Sequence, residues 1–246
     1  QGIPTYTELI LGLPGETYDT FSAGLEEILQ SSVNNQTFVY HAQVYPNTEL
    51  DNPEYQAKHG IKIKRIKLTE IHGAVRDESF INEDEDIIVE TSTMPVEDWK
   101  RATTLAWVTQ MFHGLKLGFH LSNYLVKQYR VKYMDFFKYI SEEKMNVEAP
   151  LIREQVKRFN KKTDLMLEGA PRCNVLPEFG NVYWDNEVAG YLNLSHDKHE
   201  LNAELLDITK EYLSQRGVKF DERQLEEVIM WANKGIACEP PSAVHD

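Results

Sequence analysis

Apolar and polar positions follow two rhythms along this chain, and the switch between them marks out its elements. Glu8, Leu9, Ile10 and Leu11 form a short, mostly apolar run closed by Gly12, Pro14 and Gly15, which predicts a strand running into a tight turn. From Thr17 the spacing becomes helical. Phe21, Leu25, Ile28 and Leu29 make a core-facing stripe and predict a helix over 17–30. Residues 31–35 are polar, and 36–45 are rich in β-branched and aromatic side chains, which predicts a second strand. A strand–helix–strand unit implies parallel pairing through a right-handed crossover. Two parallel strands cannot cover both their faces, so the pattern predicts an exposed edge or a partner chain.

Farther along, Asn52-Pro53 reads as a helix start and Gly60 as its stop. Residues 61–68 alternate Ile with Lys or Arg and predict an edge strand with a basic outer face, a usual guard against aggregation. The acidic run 82–86 predicts a solvated loop, and 86–93 another strand. A long helix follows Met94-Pro95, with Trp99, Thr103, Ala106, Trp107 and Gln110 on one side and a break at Gly114 and Gly118. Further helical pieces at 121–130 and 134–139 make 95–169 mostly helical. Prolines and glycines mark 169–180 as a linker, and the loose alternation of 181–194 predicts a strand or hairpin. A helix over 197–216 ends at Gly217, and Asp221 and Gln224 stand at capping-box spacing before a last helix through Trp231. The resulting division is 1–68, 69–169 and 181–246.

Composition narrows the function. A formal charge of −13 argues against nucleic-acid binding by bulk attraction. No apolar run is long enough to span a membrane. Two cysteines in 246 residues give no disulfide framework and point to a reducing, cytoplasmic setting. His196 and His199 have a metal-like spacing without a third ligand, and read as a capping turn. His113 and His120 sit among aromatics and read as structural. The glycine turn before a helix start is the best candidate site, because backbone can approach a ligand there and helix N–H groups are unpaired. Its plainer reading is an ordinary strand-to-helix turn. By period-two geometry Glu8 and Ile10 share one strand face, and His41, Gln43 and Tyr45 share another, with His41 read as a hydrogen-bonded core or edge residue rather than a base.

The run Glu8-Leu-Ile-Leu-Gly-Leu-Pro-Gly-Glu-Thr17 resembles the "E-L-I-x-G-L-P-G-E-T" segment of radical SAM enzymes, especially their cobalamin-associated branch. Phe38 to Leu50 resembles the last barrel strand and its "P-G-T-x-L" exit, with Asn47 in place of the usual Gly. The resemblance is clear over residues 1–60. It implies an α/β fold, the C-terminal part of a partial TIM-like (β/α) barrel followed by a mostly helical region. It implies that Glu8, Ile10, Gly12, Pro14, Gly15, Gln43, Tyr45 and Pro46 line the adenosyl part of S-adenosylmethionine, with Ile10 packing on adenine and Glu8 an inward carboxylate. The family's C-x-x-x-C-x-x-C motif is absent, since Cys173 and Cys238 are the only cysteines.

The expectation is therefore a C-terminal portion of a radical SAM methyltransferase or oxidoreductase, inactive alone. Its partners would be the missing N-terminal half and a small-molecule or peptide substrate. S-adenosylmethionine and a [4Fe–4S] cluster, with cobalamin as a further cofactor of the branch, would belong to the full-length protein. The alternatives are a non-catalytic binding or assembly module, and an α/β enzyme that binds phosphate at the glycine turn.

Overall fold

The computed structural model describes residues 6–31, 36–75, 80–81 and 83–236. Strand β1 (Thr7–Leu11) pairs in parallel with β2 (Thr37–His41), Leu11 lying opposite His41. Helix α1 (Tyr18–Gln30) connects them. It starts at Thr17, whose hydroxyl accepts from the Thr20 N–H while the Thr20 hydroxyl accepts from the Thr17 N–H. This reciprocal cap satisfies donors that a helix start otherwise leaves open. Phe21, Leu25 and Leu29 of the expected stripe are buried.

Helix α2 (Pro53–His59) is capped by Asn52 and ends at Gly60. Strand β3 (Lys62–Lys67) then pairs antiparallel with β4 (Asp84–Glu90). The acidic run expected as a loop thus belongs largely to a strand. Its carboxylates meet the basic strand: Arg65 holds Asp86 through two bonds of 2.8 and 2.7 Å, and Lys62 meets Glu90 at 2.6 Å. Opposite charges across an antiparallel pair stabilise it. The two strand pairs join at an antiparallel bridge between Gln43 and Ile87. Ala42 makes the handover, donating to Leu11 O and accepting from Ile88 N, both at 2.8 Å.

Helix α3 (Val96–Thr109) passes into a π-helical turn at Gln110–Gly114. Then follow α4 (Phe119–Tyr129), α5 (Tyr133–Ser141) and α6 (Pro150–Leu167). The stretch expected as a linker is folded into the body. Within it Cys173 is buried, the Lys162 ammonium donates to Cys173 O at 2.6 Å, and β5 (Asn174–Val175) pairs with β6 (Tyr183–Trp184). The strand or hairpin expected over 181–194 is confined to β6, and from Asn186 the chain is helical, α7 (Asn186–His196). Gly190 obscured this, because glycine is a poor helix former. It is there for packing, since a Cβ would stand 2.7 Å from Met111 Sδ and 2.9 Å from Phe159 Cζ. Helices α8 (Lys198–Gln215) and α9 (Glu222–Lys234) complete the fold, with Asp221 accepting from the Gln224 N–H.

One continuous buried cluster runs from Leu11 and Leu25 through Trp99, Phe137 and Phe159 to Tyr212, Leu225 and Ile236. The fold is mixed α/β and mostly helical. Among the described residues there is no closed barrel, and β1 pairs only with β2. No helix among them is long and apolar enough to cross a membrane.

Candidate functional site

Strand alternation sends Leu9 and Leu11 toward the core and leaves Glu8 and Ile10 on the open face of β1. Ile10 is 50% exposed. On the neighbouring strand, Phe38 and Tyr40 lie nearly parallel, with ring centroids 6.3 Å apart. Leu13 from the glycine turn and Tyr45 and Leu50 from the exit of β2 extend this surface into a groove of about 620 Å³. Its polar groups include Glu8, His41, Gln43 and Arg172 and the hydroxyls of Tyr40 and Tyr45. Tyr45 donates to Gln43, and Gln43 donates to Glu85, so the groove's amide is fixed by a relay ending on β4. An apolar floor with a few fixed polar groups is the form of a small-molecule site.

Of the residues expected at a site, Glu8, Ile10, Gln43 and Tyr45 line the groove together, whereas Gly12, Pro14, Gly15 and Pro46 are not among its lining. Gly12 serves packing. Its φ is +98°, and a Cβ would stand 3.4 Å from Ile88 O. Its N–H donates to Glu16 Oε2 at 3.3 Å, while Glu16 N donates to Leu13 O. Desolvation raises the Glu16 carboxyl above its usual range, against the pull of the Gly12 bond. The turn therefore engages N–H groups internally and offers a carboxyl, a poor setting for phosphate.

His41 stands at the inner wall of the groove, with its ring buried in the core. Its Nε2 lies 3.2 Å from Thr103 Oγ1 and its ring stacks obliquely on Trp99 at 5.2 Å. Burial, with Arg172 adding repulsion, holds it neutral, its pKa lowered to about 3. It lines the groove together with Gln43 and Tyr45, although the strand changes partner at Ala42 between them.

Sequence reasoning missed Arg172, Asp185 and Glu187, brought by the 172–187 segment. Together with Tyr40, His41 and Gln110 they line a small cleft of about 20 Å³, room for one water. Arg172 lines both this cleft and the groove. Burial opposes its charge, but Glu85 and Asp185 hold the guanidinium firmly protonated. Desolvation, then repulsion from Asp185, raises Glu187 to about 8, so it carries a proton at neutral pH. The π-helical turn aims Gln110 at β2, where its Oε1 accepts from Val39 N at 3.0 Å. Gln110 Nε2, Arg172 Nε and His41 Nδ1 have no partner among the described residues. Nothing in the sequence marked these positions, since Arg172 falls in a proline–glycine stretch.

The donor set does not fit an iron–sulfur cluster. Among the described residues no group of three His, Cys, Asp or Glu side chains could hold a metal ion. Cys173 is buried and faces Asp185 at 3.7 Å, and Cys238 lies outside the described residues. The groove itself combines the apolar side chains of Ile10, Leu13 and Leu50 with the Glu8 carboxylate.

Two curated proteins resemble this chain. The cobalamin-dependent radical SAM methyltransferase TokK of Streptomyces tokunonensis is 30% identical over 139 residues, 56% of this chain and 20% of that protein. The 2-(S-pantetheinyl)-carbapenam-3-carboxylate methyltransferase of Streptantibioticus cattleyicolor is 30% identical over 144 residues, 58% of this chain and 21% of that protein. The matches thus span about a fifth of the length of these relatives. No protein-family model matches the chain.

Proposed function

We propose that this chain is the C-terminal portion of a cobalamin-dependent radical SAM methyltransferase, and that its β1–β2 groove carries part of the adenosyl and substrate pocket. The similarity to two methyltransferases supports the class. The observation that carries the site is the exposed Ile10–Tyr40 face, bordered by Glu8 and Arg172, on the strands that bear the family-like segments. An apolar and aromatic surface of this kind holds a purine by dispersion and offset stacking. Glu8 accepts hydrogen bonds from hydroxyl or amino groups, and Arg172 offers a fork to a carboxylate. Glu187 holds a proton beside the groove at neutral pH. When bound, S-adenosylmethionine with its cluster and cobalamin supplies radical methyl-transfer chemistry. The cluster ligands come from the rest of the protein, so this chain alone is inactive. A phosphate at the glycine turn is disfavoured by Glu16, which already accepts from Gly12.

The test is adenosine and S-adenosylmethionine titration by calorimetry, with the exposed substitution Ile10→Asp as control. Both ligands bind the native chain, and the substitution weakens them about tenfold by removing apolar contact and adding charge. Failure of both to bind, or an unchanged affinity in I10D, removes the groove from the pocket. Cleavage of S-adenosylmethionine by the purified, iron–sulfur-reconstituted chain overturns the assignment of the cluster to other residues.

A further inference from the structure

Outside the groove, a cavity of about 400 Å³ lies between α6, α7 and the β5–β6 hairpin. Gln155, Arg158, Phe159 and Lys162 enter it from one face of α6, at the i, i+3, i+4, i+7 spacing of a helix. Asn174 from the hairpin and Asn193 from α7 stand across from them. The chain carries 39 acidic residues against 26 basic ones, yet no Asp or Glu lines this cavity. Lys162 is the unusual member. It is only 9% exposed, and its ammonium donates to Cys173 O at 2.6 Å. A carbonyl satisfies one of its three N–H donors but supplies no counter-charge. Lysine is almost never this buried unless paired, because an ammonium loses its hydration without recompense. Desolvation accordingly lowers its pKa to about 8. At the mouth lie the exposed Lys161 and Arg158, the latter ion-paired with Glu154 at 3.3 Å. Phe159, Leu165 and Val175 supply apolar wall.

We propose that this cavity binds a small ligand bearing an oxyanion, carboxylate or phosphate, on a short apolar body, with Lys162 as the buried counter-charge. Nothing in this inference depends on the β1–β2 groove. Gln155 and Asn193 are already bonded to each other at 3.0 Å, and Asn174 is bonded to Asn186 at 2.7 Å, so the polar walls are fixed in advance. The other titratable groups facing the cavity are Arg158 and Lys161 on α6 and Cys173 and Tyr183 on the hairpin. Burial holds the Cys173 thiol protonated above its usual range. Glu187, next to the cavity-lining Asn186, also titrates at about 8, so it is the part of the upward loss of anion affinity that K162M removes which reports Lys162.

Hexanoate, hexyl phosphate and inorganic phosphate, with hexylamine as control, are titrated calorimetrically into the native chain and into Lys162→Met and Arg158→Ala, with ionic strength held by chloride. At least one anion binds and hexylamine does not. Affinity drops about tenfold in K162M, by loss of a charge-assisted bond, and by a smaller factor in R158A. Native affinity also falls between pH ~7 and ~9.5 as the ammonium is lost, and the fall is smaller in K162M. Hexanoate alone assigns a carboxylate, and a phosphate compound alone assigns a phosphate ligand. Should K162M not fold, R158A and the native pH profile carry the decision. Absence of binding by all three anions, equal binding of hexylamine, or an affinity flat across that pH range overturns the proposal.

Discussion

Burial governs the ionisable residues at the centre of this molecule, and it does so with opposite signs for acids and bases. Glu187 is pushed up to about 8, whereas His41 and His113 are pushed down to about 3 and about 4. A histidine in the unfolded chain titrates near ~6.5. As pH falls below that value, the unfolded state takes up protons that the folded state refuses. The stability is full above pH ~6.5 and is lost progressively toward the folded values, with a slope approaching ~1.4 kcal/mol per pH unit for each histidine. Glu187, raised in the folded state, adds stability as pH falls through the same range, so urea titrations between pH ~7 and ~5 measure the net slope, and His41→Gln removes one histidine's share from it. An unchanged slope removes His41 from the account. Gly12 makes a second case at this scale. Gly12→Ala forces a side chain into φ +98° with its Cβ at 3.4 Å from Ile88 O, and costs about 1–3 kcal/mol in the same assay. Period-two spacing was enough to place Glu8 and Ile10 on one open face. It also placed His41 with Gln43 and Tyr45, which line the groove with it, but it did not reveal Thr103 and Trp99, the neighbours of its buried ring.

Between elements, carboxylates from one helix satisfy the N-terminus of another. Helix α6 opens at Pro150 with no side-chain cap of its own. Glu204 of α8 accepts instead from Leu151 N at 2.8 Å and Ile152 N at 2.9 Å. In the same way Glu26 of α1 accepts from Met134 N in the first turn of α5, at 2.7 Å. An anion placed there meets both the unpaired N–H groups and the positive end of the helix dipole. Glu204→Ala leaves two buried donors open and costs about 1–2 kcal/mol by denaturant titration. Glu204→Gln, which keeps one acceptor, costs less. Equal stability of all three proteins would show that the N-terminus of α6 is satisfied by water. Helices such as α1, α3 and α8 were legible because their apolar stripes are local. These caps were not, because Leu151 and Glu204 are 53 residues apart. The same blindness hid α7, whose Gly190 is required by Met111 and Phe159 rather than by its own helix.

At the scale of the whole chain, the sequence divides where the structure joins. The 169–180 stretch carries the composition of a linker, and a linker there predicts regions on either side that unfold independently. The packing points the other way. Lys162 holds Cys173 O, Asn174 holds Asn186, and the buried cluster continues from β1 through α6 to α9. Trp99 and Trp107 lie inside that cluster, so with Trp184 and Trp231 replaced by Phe the fluorescence reports the middle of the molecule, while far-UV circular dichroism reports helices along the whole chain. With a continuous core the two signals follow one transition in urea, with the same midpoint and slope. Gly190→Val, at the contact of α7 with α6 and the π-helical turn, overpacks that junction and lowers the shared midpoint of both signals, by about 1–3 kcal/mol of stability. If the fluorescence midpoint instead stays fixed while the circular dichroism midpoint moves, the C-terminal helices form a separate unit, and the division drawn at 169–180 is the physical one.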